Sequence, residues 1–315
     1  MSMRMGWLML IALLAGGSPA SADNAPVTAE TAEVLRQIEA APRRGLLYEI
    51  SKNGQTGWLF GTLHVGKSDF FPLERVVTQA VAQASELMVE ADLSQPEGIA
   101  ASVQRYALLP QTQRLDSLLS TSLKQRLNVQ ADALSLPRDN LQPFKPWMAG
   151  LTLVMAAIHQ SGYDSAYASD GFLIGLAKGL EKPIVELEGM AFQLKLFDDI
   201  PRKDQLVFLS ETLTQLEKGT TTADTRELVN AWLASDAKTL HQLSQKSLRD
   251  SPRSARWMQQ KLFTERNQRM AQKIEQRLAE GHAPFIAVGA LHLTGRDGLP
   301  ALLKKRGYRV NSLYP

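Results

Sequence analysis

One short pattern occurs twice in this chain, once near each end: a strand-like apolar run followed by Gly-x-x-His. Near the N-terminus, residues 57–60 lead into Gly61-Thr62-Leu63-His64, and near the C-terminus, residues 284–288 lead into Gly289-Ala290-Leu291-His292. A glycine at a strand end lets the backbone turn sharply or approach a ligand closely. Two strand-end imidazoles that the fold brings together would form half of a metal site or of an acid–base site. We therefore expect both histidines to be exposed and to open into one cleft.

A hairpin, a helix and a third strand are predicted around the first copy. The hairpin pairs residues 46–51 with residues 57–62 across an Asn53-Gly54 turn. Apolar residues recurring at helical spacing predict a helix over residues 72–84, and a strand over residues 87–92 follows. The apolar face of that helix is predicted to contain Leu73, Val76, Val77, Ala80 and Val81.

The second copy sits in a similar unit. A strand over residues 285–288 is followed by a helix over residues 298–305 and a final strand over residues 308–313. Between the two units, residues 96–280 are predicted to be mostly helical, with one strand over residues 183–187. The sequence therefore predicts an α/β fold, with a central mixed sheet built from two βα-type units at the chain termini and a large helical insertion.

The N-terminus has the features of a secretory signal peptide. Arg4 precedes an apolar run over residues 7–15, and Ala20-Ser21-Ala22 is a typical cleavage site. This divides the chain into a signal peptide at residues 1–22, a flexible lead-in at residues 23–42 and a single domain at residues 43–315. We expect a periplasmic or secreted protein that is not stably inserted in a membrane after cleavage, because no later segment is long and apolar enough to span one.

Composition excludes some classes of function. The chain contains no cysteine, which excludes thiolate catalysis, disulfide bonds and a lipid anchor on an N-terminal cysteine. The formal net charge is +3, but the basic residues are scattered. Nucleic-acid binding proteins cluster their bases in a recognisable module, so no nucleic-acid partner is expected.

Glu90 is the leading candidate to complete the site, because a catalytic metal usually takes three protein ligands. It ends the apolar strand of residues 87–89, so it should emerge at the same sheet edge as a strand-end histidine. Whether it acts as a metal ligand or as a general base stays open, and an exposed strand end without function is the alternative. Asp92, two residues further on and on the same side of the strand, is the second choice.

Glu188 and Arg266 are further candidates for catalysis. Glu186 and Glu188 follow a strand at i, i+2 spacing, so one of them could be a second carboxylate for acid–base work. Arg266, next to Asn267 on a long helix predicted over residues 254–280, could stabilise an anionic intermediate. Ordinary surface ion pairs are the alternative role for Arg266.

Four other polar residues are given structural roles. A lone histidine is more often structural than a ligand, which leaves His159, His241 and His282 without a functional assignment. Asp170 lies just before the helix predicted to begin at Phe172 and is interpreted as its cap. The chain also lacks H-E-x-x-H, G-x-S-x-G, a Walker loop and a dinucleotide-binding glycine motif.

The order of these motifs resembles that of the TraB/PrgY/GumN family, which is related to the Tiki metalloproteases. The resemblance covers about residues 46–313 and is carried by residues 61–64, Val89-Glu90, Pro146-Trp147, residues 169–188, Glu265-Arg266-Asn267 and residues 288–295. It implies an α/β core like that of the erythromycin-esterase and ChaN haem-binding proteins. It also implies that His64, His292 and Glu90 hold a metal ion, with manganese or cobalt favoured.

Three interpretations follow. The first is an exported metal-dependent hydrolase, a peptidase, that uses Mn²⁺, Co²⁺ or Zn²⁺ on a peptide or small-molecule substrate. The second is a non-catalytic periplasmic protein that binds a peptide, haem or a metal. The third is a scaffold whose histidines only hold the two terminal units together.

Overall fold

A computed structural model describes residues 36–249, 257 and 259–314 of the chain. The predicted signal peptide, most of the lead-in and the predicted helix start at Ser254 lie outside these residues. The strands are β1 (Leu47–Lys52), β2 (Gln55–Thr62), β3 (Glu86–Val89), β4 (Ile184–Glu186), β5 (Pro284–Gly289) and β6 (Arg309–Ser312). The helices are α1 (Arg75–Gln83), α2 (Pro96–Tyr106), α3 (Thr121–Ala133), α4 (Arg138–Leu141), α5 (Pro146–Gln160), α6 (Ser169–Gly179), α7 (Met190–Asp198), α8 (Arg202–Glu217), α9 (Thr220–Leu233), α10 (Ala237–Arg249), α11 (Glu265–Ala279) and α12 (Leu299–Lys305).

The six strands form one mixed sheet in the order β4-β3-β5-β2-β1-β6. The four strands from β4 to β2 run parallel, whereas β1 is antiparallel to both of its neighbours, β2 and β6. Strands from both ends of the chain are therefore neighbours, and β5 lies between β3 and β2. The predicted α/β class, with a mixed sheet built from the two termini and a helical insertion, is confirmed.

The hairpin of β1 and β2 forms where the Asn-Gly pair predicts it. Asn53 and Gly54 have φ angles of 52° and 81°, and this pair of left-handed residues makes the tight turn that matches the twist of paired strands. β1 and β2 then pair from Leu47 opposite Phe60 to Lys52 opposite Gln55.

Helices cover both faces of the sheet. Side chains alternate between the two faces of a strand, and in β2 the ring of Phe60 contacts Trp232 of α9. On the other face, a Cβ at Gly57 would meet Leu278 of α11 at 3.4 Å. Every residue of β5 is buried, as expected for a parallel strand covered on both sides.

The helical insertion has a small core of its own. Leucines and alanines of α3, α5 and α8 pack together apart from the main core, among them Leu127, Leu153 and Leu209. Two local predictions differ from the structure. Val76 is predicted to be on the apolar face of its helix but is 42% exposed. The buried side of α1, which begins at Arg75, is formed by Val77, Ala80 and Val81. The predicted long helix contains a π-helical segment over Gln259–Thr264 before α11 begins.

Within the described part of the chain, no helix has the length and apolar character needed to cross a membrane.

Candidate functional site

The two Gly-x-x-His motifs leave the sheet side by side. β2 and β5 are parallel neighbours whose last paired residues are Thr62 and Gly289. On the other side of β5, Val89 of β3 pairs with Ala287, so the residue after Val89 leaves the sheet at the same edge. Neighbouring parallel strands deliver the residues that follow them to one place. This edge collects three of the predicted site residues: His64, Glu90 and His292.

His64 is oriented by a buried carboxylate. Its Nδ1 lies 2.8 Å from Oδ2 of Asp170, and Oδ1 of Asp170 accepts a 2.8 Å hydrogen bond from Oγ1 of Thr62. The opposite ring nitrogen, Nε2, is buried without a hydrogen-bond partner among the described residues. Burial lowers the pKa of His64, but the charge and hydrogen bond of Asp170 outweigh it, so the pKa is raised above its usual value.

His292 is oriented by an amide. Its Nδ1 contacts Oδ1 of Asn267, and Nδ2 of Asn267 donates a 2.7 Å hydrogen bond to the carbonyl of Asp297, which fixes the amide so that Oδ1 is the acceptor. Burial lowers the pKa of His292 to about 3, with a smaller contribution in the same direction from Arg266. The ring is therefore neutral at pH 7, with its proton on Nδ1 and a lone pair on Nε2. Like His64, it has no hydrogen-bond partner on Nε2 in the described structure.

Glu90 lies between the backbone of the second motif and a buried cation. Its Oε1 accepts a 2.8 Å hydrogen bond from the N–H of Gly289. Its Oε2 accepts one of 3.0 Å from Nε2 of Gln193 and another from Arg266. Burial raises the pKa of Glu90, but Arg266 and, to a lesser degree, the nearby histidines lower it to about 2. The carboxylate is therefore ionised, and about one of its four lone-pair positions, on Oε1, is not used by these three donors.

Oε1 of Glu90 and Nε2 of His292 lie 3.7 Å apart. Both atoms carry lone pairs, and the distance is too long for a hydrogen bond between them. Two ligand atoms bound tetrahedrally to one metal ion at about 2.1 Å would lie about 3.4 Å apart. The separation is thus close to that expected for two ligands of one cation, or for two acceptors of one water molecule.

Arg266 is held by two carboxylates. Its side chain is 1% exposed, and that of Glu188 is 2% exposed. Nε donates to both oxygens of Glu188 at 2.9 Å, and Nη2 donates to Oε2 of Glu188 at 2.6 Å and also to Glu90. Gln193 bridges the same two carboxylates, with a 3.1 Å hydrogen bond to Glu188. In this geometry the guanidinium sets the charge and orientation of Glu90.

Both motif histidines are buried, which corrects the expectation of exposed strand ends. His64 is 5% exposed and His292 is 0% exposed. The cavity beside His64 has a volume of about 20 Å³ and is lined by residues of both motifs and by Leu228. That volume is enough for about one water molecule. The burial arises because α6 and α11, which carry Asp170 and Asn267, cover the two rings.

The net formal charge of the buried site is one that a divalent cation would balance. When both imidazoles are neutral, the formal charges of Glu90, Glu188 and Asp170 exceed that of Arg266 by two, which is the charge of one divalent ion. The donor chemistry also fits, because two imidazole nitrogens lack partners and a carboxylate oxygen lies beside one of them. Among the described residues, however, no three His, Cys, Asp or Glu side chains converge as a ready-made metal site.

The other candidates lie away from this edge or face elsewhere. Asp92 folds back on its own turn, where Oδ1 accepts a 3.0 Å hydrogen bond from the N–H of Ser94. Glu186 accepts from the N–H of Asp92 at 2.7 Å. The side chains of His159 and His282 are 73% and 38% exposed.

The sequence does not reveal the site roles of three residues: Asp170, Asn267 and Gln193. The predicted role of Asp170 is that of a helix cap, but it lies within the first turn of α6 and bonds His64, while the cap position, Ala168, makes no side-chain hydrogen bond. No role is predicted for Asn267, which holds His292, or for Gln193, which donates a hydrogen bond to Glu90. An acidic residue in the first turn of an otherwise apolar helix is the available signal for Asp170, and nothing in the sequence around Gln193 marks it.

Comparison with known proteins gives two findings. A model of the TraB/PrgY/gumN family matches residues 46–312 of the chain. The chain is also similar to the uncharacterized protein YbaP of Escherichia coli strain K12 and to that of Shigella flexneri. Each is 27% identical over 250 residues, which cover 78% of this chain and 87% of the relative. No solved structure matches the chain.

Proposed function

The chain belongs to the TraB/PrgY/gumN family, and from that premise we propose that it is an exported metal-dependent hydrolase that cleaves peptide bonds. One observation carries the proposal. The Nε2 atoms of His64 and His292 are both buried without hydrogen-bond partners among the described residues, while both Nδ1 atoms are held. Buried polar atoms are nearly always partnered in folded proteins, so two such atoms at one sheet edge point to a ligand that they share.

In the proposed site, His64 and His292 would supply two nitrogen ligands, and Oε1 of Glu90 would either supply a carboxylate oxygen as the third ligand or act on the water as a base. Nitrogen and oxygen donors without a thiolate suit Mn²⁺, Co²⁺ or Zn²⁺. A divalent ion held there would lower the pKa of a water molecule and polarise a peptide carbonyl. Asp170 and Asn267 support this role, because a metal-binding imidazole usually donates its other N–H to a carboxylate or carbonyl oxygen.

The chain's own groups account for the proton transfers. Arg266 keeps Glu90 ionised, so Oε1 can accept a proton from the attacking water. The water oxygen bonds to the carbonyl carbon, the C–N bond breaks, and Glu90 returns the proton to the leaving amine. Glu90 is therefore either the general base of this reaction or a ligand, and one substitution separates the two roles.

A second candidate function is a protein that binds a metal, haem or a peptide without turnover. The burial of both histidines favours it, because the cavity of about 20 Å³ beside His64 holds one water molecule but no peptide. Hydrolysis would require an opening of the site around a substrate. Turnover measurements distinguish the two functions.

The test uses the mature chain from residue 23 onward. We expect co-purified metal by elemental analysis, and cleavage of a mixed peptide library that Mn²⁺ supports and EDTA abolishes. His64→Ala and His292→Ala should remove both metal binding and cleavage, whereas His159→Ala, at a side chain that is 73% exposed, should change neither. Equal cleavage by wild type and the His64→Ala/His292→Ala double variant would reject the hydrolase. Metal or peptide binding with no turnover under any ion would favour the binding protein.

Glu90→Gln separates base from ligand. If Glu90 is the base, metal stays bound and turnover falls roughly 10²–10⁴-fold, the usual contribution of a general base. If it is a ligand, Mn²⁺ affinity in titration calorimetry falls as well, because a neutral amide is a poorer donor than a carboxylate.

Export is proposed from the signal-peptide features of residues 1–22, which lie outside the described residues. N-terminal sequencing of fractionated cells should find Asp23 as the first residue of the exported protein. Met1 retained on protein from the cytoplasmic fraction would contradict export.

A further inference from the structure

A cleft of about 600 Å³ lies next to the buried histidines and has no part in the chemistry described above. Ligand pockets typically measure about 300–1,000 Å³. Its walls are the middle of α10, the π-helical segment, the first turn of α11 and the loop around His292.

The cleft is connected to the site through three of its lining residues. Asn267 lines the cleft and also holds Nδ1 of His292. Phe263 lines it, and the centre of its ring lies 5.6 Å from that of the His292 ring. Leu291 lines both the cleft and the small cavity beside His64. A chain bound in the cleft would therefore lie one side-chain layer away from the proposed reaction centre.

The lining is polar but almost uncharged. Amides and hydroxyls dominate it, including those of Gln245, Gln259, Gln260, Thr264 and Thr294. The titratable residues that line it are His241, Arg296 and Asp297, and the last two are chain neighbours of opposite formal charge, with Nε and Oδ2 3.6 Å apart. Amide side chains both donate and accept hydrogen bonds, and a neutral lining offers no partner for a charged ligand.

A peptide fits this lining better than a carbohydrate does. A sugar ring would pack on a flat apolar face such as an aromatic side chain offers. The aromatic residue that lines the cleft, Phe263, packs its ring against His292 instead. Primary amides match the N–H and C=O groups of an extended backbone and the side chains of Gln, Asn, Ser and Thr.

We propose that this cleft binds the peptide segment next to the scissile bond and selects uncharged polar residues there, with Gln245 and Gln259 as specificity-determining residues. The identification of a scissile bond rests on the proposed hydrolase. Binding to the cleft does not require turnover, so it is measured separately.

The test is equilibrium binding to the metal-free mature chain. Three fluorescein-labelled hexapeptides are compared by anisotropy: one rich in Gln, Asn, Ser and Thr, one rich in Lys and one rich in Glu. We expect the neutral peptide to bind about tenfold more tightly than either charged one. Gln245→Leu and Gln259→Leu should each weaken it by about tenfold, the effect of one lost hydrogen bond of roughly 1.4 kcal/mol. Gln242→Leu, at an exposed glutamine of the same helix α10, is the matched control and should have no effect.

A charge substitution distinguishes a specific loss of binding from a loss caused by misfolding. Gln259→Glu should increase the affinity for the lysine-rich peptide and decrease the affinity for the glutamate-rich one. An unfolded variant cannot produce the increase. Equal affinity for all three peptides, or no change in either leucine variant, would overturn the proposal. Stronger competition by maltohexaose than by unlabelled neutral peptide would overturn the peptide assignment in favour of a carbohydrate.

The outcomes for the cleft and for the hydrolase are distinguishable. Composition-dependent binding without cleavage in Mn²⁺, Co²⁺ or Zn²⁺ supports the cleft and rejects the hydrolase. Metal-dependent cleavage with no preference for neutral polar residues supports the hydrolase and rejects the cleft as a specificity site.

Discussion

Replacing Arg266 with methionine is expected to destabilise the fold strongly, although methionine nearly matches its length. The side chains of Arg266, Glu188 and Glu90 are 1%, 2% and 6% exposed, and Arg266 donates three hydrogen bonds to Glu188 alone. Removing the cation leaves two buried carboxylates near each other without a counter-charge. Removing one partner of a buried ion pair costs about 3–5 kcal/mol of stability. Because Arg266→Met leaves two carboxylates unpaired, its cost should lie at the upper end of that range.

Urea unfolding followed by circular dichroism at pH 7.5 measures the effect. Arg138→Met is the matched control, because the side chains of Arg138 and its partner Asp132 are 54% and 53% exposed, and an ion pair in water contributes little to stability. The free energy of unfolding should therefore fall several times more in Arg266→Met than in Arg138→Met.

A second substitution tests the cause. Glu188→Gln on its own should destabilise the protein, because it weakens the partner of Arg266. Added to Arg266→Met, it should restore part of the lost stability, because it neutralises one stranded carboxylate. A cost of less than about 1 kcal/mol for Arg266→Met would refute this account of Arg266. So would a Glu188→Gln substitution that destabilises Arg266→Met as much as it destabilises the wild type.

Two further predictions concern the histidines. Asp170→Ala should lower Mn²⁺ affinity by about 10–100-fold in titration calorimetry, because it removes the carboxylate that orients His64. Asp164→Ala, beside the exposed His159, should leave that affinity unchanged. Without metal, in EDTA, the free energy of unfolding should fall as the pH drops from 6.5 to 4.5. In this range His292 binds a proton in the unfolded chain but not in the folded protein, where its pKa is about 3. The contribution of His64, whose pKa is raised, is fully present below pH 6.5 and does not alter this dependence on pH. His292→Asn should make the free energy of unfolding less dependent on pH. An unchanged urea midpoint of the wild type over this range would contradict the prediction.

Local signals were sufficient to predict the sheet and the position of the two motifs. The Asn53-Gly54 turn is specified by two residues, and both Gly-x-x-His motifs follow runs of buried, strand-forming residues. Because strand ends collect at a sheet edge, the placement of Glu90 could also be predicted.

The surroundings of these residues depend on contacts that the sequence does not reveal. His64 is covered by Asp170, 106 positions away, and Arg266 is paired with Glu188 and Glu90, 78 and 176 positions away. A charged residue on a helix next to other charges is typical of a solvent-exposed face, so the burial of Arg266 could not be predicted. The helices α6 and α11, which hold the two histidines, come from the region between the two motifs, where periodicity indicates helices but not what they cover.

The pairing of β2 with β5 has a consequence for the synthesis of the protein. Thr62 and Gly289 become neighbours only after almost the whole chain has been made, and closing so long a loop is among the slow steps of folding. A nascent or truncated chain that ends before β5 can contain His64 and Asp170, but it lacks His292 and the N–H of Gly289 that holds Glu90. An unfinished chain therefore has only one of the two motif histidines, so the buried arrangement of His64, Glu90 and His292 can form only once the polypeptide is complete.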